Sequence, residues 1–251
     1  MRRWFPFALG AAGLVLMAAA VWTPAAAQNF SLDLGSGGST TGRVVQLIAL
    51  LTILSLAPSI LVMVTSFTRI VVVLSFLRSA MGVQQTPPNA VLVSLALFLT
   101  MFVMGPTLEA SYTNGLLPLI ENQIDEEEAF KRTLAPIRTF MLEHVREQDL
   151  RLFMDLAQSP VAATPEETPL RSLIPAFMIS ELRRAFEIGF LLFLPFIVID
   201  MVVASILMSM GMMMLPPVMI SLPFKLIFFV LVDGWYLVAG SLVQSYGTIG
   251  S

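Results

Sequence analysis

The chain has 251 residues, of which 57% are hydrophobic and only 12% charged, with a formal net charge of −3. Soluble domains carry about a quarter charged residues, so this balance predicts a protein in or against a membrane. The absence of cysteine excludes disulfides and thiolate-bound metals, and leaves the compartment to be read from targeting signals.

Arg2 and Arg3 precede an apolar run over 4–21, and Pro24 leads into Ala25, Ala26 and Ala27. This pattern predicts a secretory signal over 1–27, cleaved between Ala27 and Gln28, with an uncleaved anchor helix as the alternative. Residues 28–43, rich in Gly, Ser and Thr, read as a flexible exported tail.

Four apolar segments follow, at 44–67, 91–104, 188–214 and 218–243, to be set against the ~20 residues that cross ~30 Å of hydrocarbon. The first contains Pro58, the second is short for a span, and the last two carry Pro195, Asp200, Pro223, Lys225 and Asp233. The fold class they predict is all-α: membrane-associated helical hairpins with broken apolar helices, one over 44–108 and one over 181–251. With the signal removed, the first helix starts outside, which puts Arg69 and Arg78 in an inner connection, as the positive-inside tendency prefers. Residues 109–180 then form an acidic insert in the exported compartment; over 109–170 acidic residues outnumber basic ones twelve to five.

The insert has helical periodicity. Pro136 suits a first helical turn, and Ile137, Phe140, Met141 and His144 share one face; Leu150, Phe153, Met154 and Ala157 repeat the spacing. Such stripes pack on each other or on a neighbouring subunit, which makes Phe140 and Phe153 the candidate assembly contacts. His144 has no second histidine or cysteine beside it for a metal site, and the run Asp125, Glu126, Glu127, Glu128 suits a solvated helix start. No catalytic or phosphate-binding motif occurs. Neither an enzyme, a cofactor, a metal nor a nucleic-acid partner is expected.

An ionisable group at the centre of a bilayer costs at least ~2.5 kcal/mol and normally faces protein or water. Glu181, Asp200, Lys225 and Asp233 therefore predict charge pairing between packed subunits, with Glu181 the first partner for Lys225 and Asp200 or Asp233 the alternatives. Seven of the sixteen methionines fall within 201–219, where the segment "SMGMMMLPPVMISLPFK" runs from Ser209 to Lys225.

Three blocks carry a resemblance: "TSFTRIVVVLSFLRSAMGVQQTPPN" at 65–89, "ELRRAFEIGFLLFLPFIVIDMVVASILMSMGMMMLPP" at 181–217 and "SLPFKLIFFVLVDGW" at 221–235. Over about 44–243 the chain closely resembles the flagellar branch of the FliP/SctR family of type III secretion export-gate proteins. The resemblance implies a ring of about five copies, symmetric and closed, joined by FliR and FliQ in a helical channel at the base of the flagellar rod. It also implies FlhA and FlhB as neighbours, unfolded flagellar subunits as cargo, and a place in the inner membrane within the flagellar basal body, the insert on the periplasmic side.

On that reading the methionines Met208, Met210, Met212, Met213 and Met214 form a gasket. Their unbranched, polarisable side chains dewet when the path is empty and deform around a passing chain. Gly211, Pro216 and Pro217 interrupt the helix there. Core filling is the plainer account of the same residues. Two other function classes remain: an ion-coupled secondary transporter, for which inverted repeats are lacking, and an ungated scaffold.

Overall fold

The computed structural model describes residues 40–83, 85–158, 167–212 and 215–247. The signal sequence, its Ala27/Gln28 cleavage site and most of the tail lie outside these residues, as do Met213 and Met214. The chain divides into two compact units at Thr52/Ile53. Of the first, the described part is the start of helix α1 (Thr40–Met63), which begins inside the stretch read as tail. Its Val44, Leu47, Ile48 and Leu51 are all exposed. A helix apolar on every side requires lipid or protein around it.

The second unit is helical, with no strand among the described residues. After the last turns of α1 the chain breaks at Val64, Thr65 and Ser66 and enters α2 (Phe67–Ala80). The expected inner connection carrying Arg69 and Arg78 is thus a helix. Its face Arg69, Val73, Leu77 and Ala80 is buried, at the i, i+4, i+8, i+11 spacing of a helix stripe. Arg78, in the last turn, closes the connection by donating to Asn89 Oδ1 at 2.5 Å and to the Pro87 carbonyl at 3.3 Å.

The segment expected to stop near 104 continues. Helix α3 (Asn89–Ser111) passes through a π turn (Tyr112–Leu116) into α4 (Leu117–Ile120), an apolar helical run of 32 residues. Pro106 sits within it; proline is tolerated in apolar helices where neighbours accommodate the freed carbonyl. The π turn brings Gly115 so close to the helix that follows α4 that a Cβ there would lie 2.7 Å from the Thr133 backbone nitrogen.

Helix α5 (Glu126–His144) starts ten residues before Pro136, which is interior rather than in the first turn. Asp125 caps it, accepting from the Glu128 N–H at 2.8 Å. Glu126, Glu127 and Glu128 occupy the first turn, where negative charge is favoured. The bond from Lys131, then its charge, hold the exposed Glu127 carboxyl below its ordinary range. Helix α6 (Glu147–Leu156) is short and lies against α7 (Leu170–Ser209). The third apolar segment is therefore only the second half of a 40-residue helix that begins well before 181.

Helices α8 (Pro217–Leu231) and α9 (Gly234–Gln244) meet at a 63° bend, where Asp233 adopts a left-handed conformation. Two core clusters hold the unit together. One joins α2, α3 and α7 through Ile70, Leu74, Leu77, Leu92 and Ala185; the other docks α5 through Met104, Phe140, Met141, Leu173 and Phe177. Full burial of a side chain such as Phe177 or Leu173 contributes about 1.5–3 kcal/mol.

Candidate functional site

The methionine segment is a helix stop. Gly211 has φ of +72°, its N–H reaches the Met208 carbonyl at 3.1 Å, and the Met212 N–H reaches that of Leu207 at 3.0 Å. This is the Schellman arrangement, in which a left-handed glycine satisfies the last carbonyls of a helix. Pro216 and Pro217 then set the first turn of α8. The stop buries Leu207 and leaves Met208, Met210 and Met212 exposed. Beneath it, between α7 and α8, lies an apolar groove of about 440 Å³ lined by Val198, Val202, Ile206, Met210, Ile220 and Phe224.

About two helical turns inside the same hairpin is Lys225, at the level of Asp200. Its ammonium donates to Asp200 Oδ2 at 2.6 Å and to the Ala80 carbonyl at 3.3 Å, while Ser221 donates to the other Asp200 oxygen at 2.5 Å. The cation thus neutralises a carboxylate on α7 and the carbonyl end of α2 together. The expected pairing of Lys225 with Glu181 is corrected here. Glu181 and Asp200 are 19 residues apart on one continuous helix, about 28 Å at 1.5 Å per residue, and Lys225 stands at the level of Asp200. This pair closes within one chain.

Glu181 belongs to a second buried network. Arg69 grips it with Nε, at 2.9 Å from Oε2, and with Nη2 on the other carboxylate oxygen. The remaining guanidinium nitrogen donates to the Ser245 hydroxyl at 3.0 Å. The Tyr246 hydroxyl donates to Glu181, and its ring lies under the Arg69 guanidinium at 3.8 Å. Burial first, then the Glu181 charge, hold the Tyr246 phenol well above its ordinary pKa, so it remains a donor. An isolated charge at this depth would be prohibitive; a bidentate pair with both remaining valences satisfied is not.

Phe140 is part of this interior. Its ring stacks on Tyr246 at 5.9 Å and meets Phe177 edge-on at the same distance, and it is buried. The expectation that Phe140 faces a neighbouring copy is corrected by these contacts: it faces the chain's own α7 and C-terminal turn. Phe153, half-buried, lies on α6. His144 is buried, with Nδ1 2.8 Å from the Phe140 carbonyl and Nε2 3.3 Å from that of Tyr246. Asp233 is exposed at the α8–α9 bend and joins none of the ion pairs among the described residues.

Sequence reasoning missed Arg69, Tyr246 and Ser180. Arg69 was detectable, because it shares the stripe of Val73 and Leu77; Tyr246 follows Leu242 and Val238 at spacings of four. Ser180 was not: it accepts the Arg146 N–H at 3.0 Å and donates to Asp149 at 2.7 Å. A serine of α7 thereby caps α6 from outside it, a tertiary contact without sequence signature.

The model of the FliP family matches residues 50–242. The chain is similar to a Caulobacter vibrioides protein called flagellar biosynthetic protein FliP, with 64% identity over 89% of this chain and 85% of that one. Proteins of the same name from Bacillus subtilis and Aquifex aeolicus are 55% and 54% identical, each over 80% of this chain and over 91% and 85% of their own. The family match runs through the broken first helix, the insert, both ion pairs and the methionine stop, and the chain belongs to the FliP family.

Proposed function

We propose that the chain is a core subunit of the flagellar type III protein export gate. About five copies form a closed ring that builds, with FliQ and FliR and beside FlhA and FlhB, the channel through which unfolded flagellar subunits cross the inner membrane. The signal directs the chain into that membrane, and the insert stands on the periplasmic side. Membership of the family supports the setting. The observation that carries the gate reading is the apolar, exposed helix stop at Met208, Met210 and Met212, beside a hairpin whose charges, the buried Lys225 and the partly exposed Asp200, are neutralised inside the chain. Such a tip presents no fixed charge to a path, and flexible thioethers exclude water from a narrow one.

The test replaces Met212, Met213 and Met214 with glycine in cells that assemble the complex. The stop is already irregular, so α7 and α8 keep their pairing; the expected result is normal assembly with FliR and FliQ and an inner membrane that leaks small ions when secretion is idle. Leucine replacements keep an apolar tip and are expected to slow export instead. A glycine variant that assembles fully and stays as tight as the wild type assigns the seal to other residues.

A further inference from the structure

The described methionines differ widely in exposure. Met81, Met104 and Met141 are buried, at 3%, 1% and 1% exposure, whereas Met208, Met210 and Met212 on the helix stop are 58%, 58% and 43% exposed. Met178, on the exported half of α7, has its sulfur occupied by the Thr68 hydroxyl at 3.7 Å. Among the described residues no hydroxyl donates to the sulfur of Met208, Met210 or Met212 as Thr68 does to that of Met178, and the groove under Met210 is wholly apolar. Thioether sulfur is a two-electron nucleophile toward hydroperoxides, and the product turns a flexible apolar side chain into a polar one.

We infer that Met208, Met210 and Met212 are an oxidation site for small hydroperoxides and that their conversion to sulfoxide opens the closed path. This rests on the reading of the stop as a seal. In the step, a sulfur lone pair attacks one oxygen of hydrogen peroxide; the S–O bond forms as the O–O bond breaks. The departing hydroxide takes the proton of the transferred hydroxyl and leaves as water. Sulfur loses two electrons and the peroxide gains them, so no further reactant is needed. Each sulfoxide oxygen then accepts hydrogen bonds from water at a place where dewetting makes the barrier. Met101, Met201 and Met219 are comparably exposed, but lie along helices rather than on the stop, so their oxidation must be separated from that of the stop.

The experiment treats membranes containing the assembled complex with hydrogen peroxide, maps sulfoxides by mass spectrometry and follows ion leak in the same samples. Sulfoxide is expected at Met208, Met210 and Met212 several-fold sooner than at Met81, Met104 and Met141, with leak rising in step and falling again after treatment with methionine sulfoxide reductases. In the variant Met208→Leu, Met210→Leu, Met212→Leu, read against its own untreated baseline, the peroxide-dependent rise should be lost. Stop methionines that oxidise no sooner than the buried ones overturn the inference, as does an equal rise in the leucine variant. Oxidised stop methionines without leak, beside a leaky glycine variant, overturn it while leaving the seal reading intact. A variant with glycine at Met208, Met210 and Met212 together that assembles and stays tight overturns both.

Discussion

Lys225 and Arg69 are both buried cations with a carboxylate partner, yet their removal should differ in cost. Losing one partner of a buried pair costs about 3–5 kcal/mol. The side chains of Arg69 and Glu181 are 1% and 0% exposed, whereas that of Asp200 is 34% exposed and recovers hydration when its partner goes. Arg69→Ala is therefore expected at the top of that range and Lys225→Ala at or below its lower end, measured as thermal stability of the purified chain in detergent. Exchanging Glu181 and Lys225 should rescue nothing, whereas exchanging Asp200 with Lys225 should restore part of the loss. For Tyr246→Phe the stacking on Phe140 and the contact with Arg69 survive. The bond to a charged acceptor is lost, about 1.5–3 kcal/mol, together with the longer contact to the Ser66 carbonyl at 3.3 Å; Tyr246→Ala also opens a cavity and should cost more.

The crossing of the π turn with α5 depends on one hydrogen atom. A Cβ at Gly115 would lie 2.1 Å from Thr133 Oγ1, 2.7 Å from its nitrogen and 2.9 Å from its Cα; the hydroxyl can rotate away but the backbone cannot. Gly115→Ala is expected to lift α5 from α3, seen as faster limited proteolysis between 120 and 158, with the Lys225–Asp200 pair unaffected. Asp233→Gly should be neutral or mildly stabilising, because glycine adopts φ near +50° without the cost an L side chain carries. A loss of assembly in that variant would show that Asp233 has a partner outside the chain. At this scale the sequence was legible where apolar runs were long, as in 188–214, and where capping chemistry was local, as at Asp125. It misled at 104 and at 136: Gly105 and Pro106 look like a terminator, and Pro136 like a start, when tertiary neighbours carry the helix through each of them.

Helix α7 has 40 residues, about 60 Å at 1.5 Å per residue, twice the ~30 Å of a hydrocarbon core. Half of it must stand outside lipid, and that half carries the packed insert. Since the chain has no cysteine, single cysteines at Ile179 and Val202, both exposed, test this directly. A membrane-impermeant maleimide added from the exported side should label the first and spare the second. That the chain is helical, with an acidic helical stretch between apolar ones, was visible in the periodicity and charge of the sequence. Which charge faces which was not, because Arg69, Glu181 and Tyr246 are separated by up to 177 residues and only the folded core brings them to one point.

Ser180 and Glu181 are neighbours on α7, yet one secures the insert and the other the break after α1 and the C-terminal turn. The helix runs on from there through about 29 residues to the methionine stop, about 43 Å at 1.5 Å per residue. Its fulcrum is 180–181, and beyond it α7 moves together with α2, to which Ala185, Gly189 and the Lys225–Asp200 pair hold it. A tilt of about 2° at that fulcrum carries the tip about 1.5 Å, close to the radius of a methyl group, over a helix of this rise. A tilt of the packed helices about this point would thus move the far end by less than the thickness of the side chains that stand there.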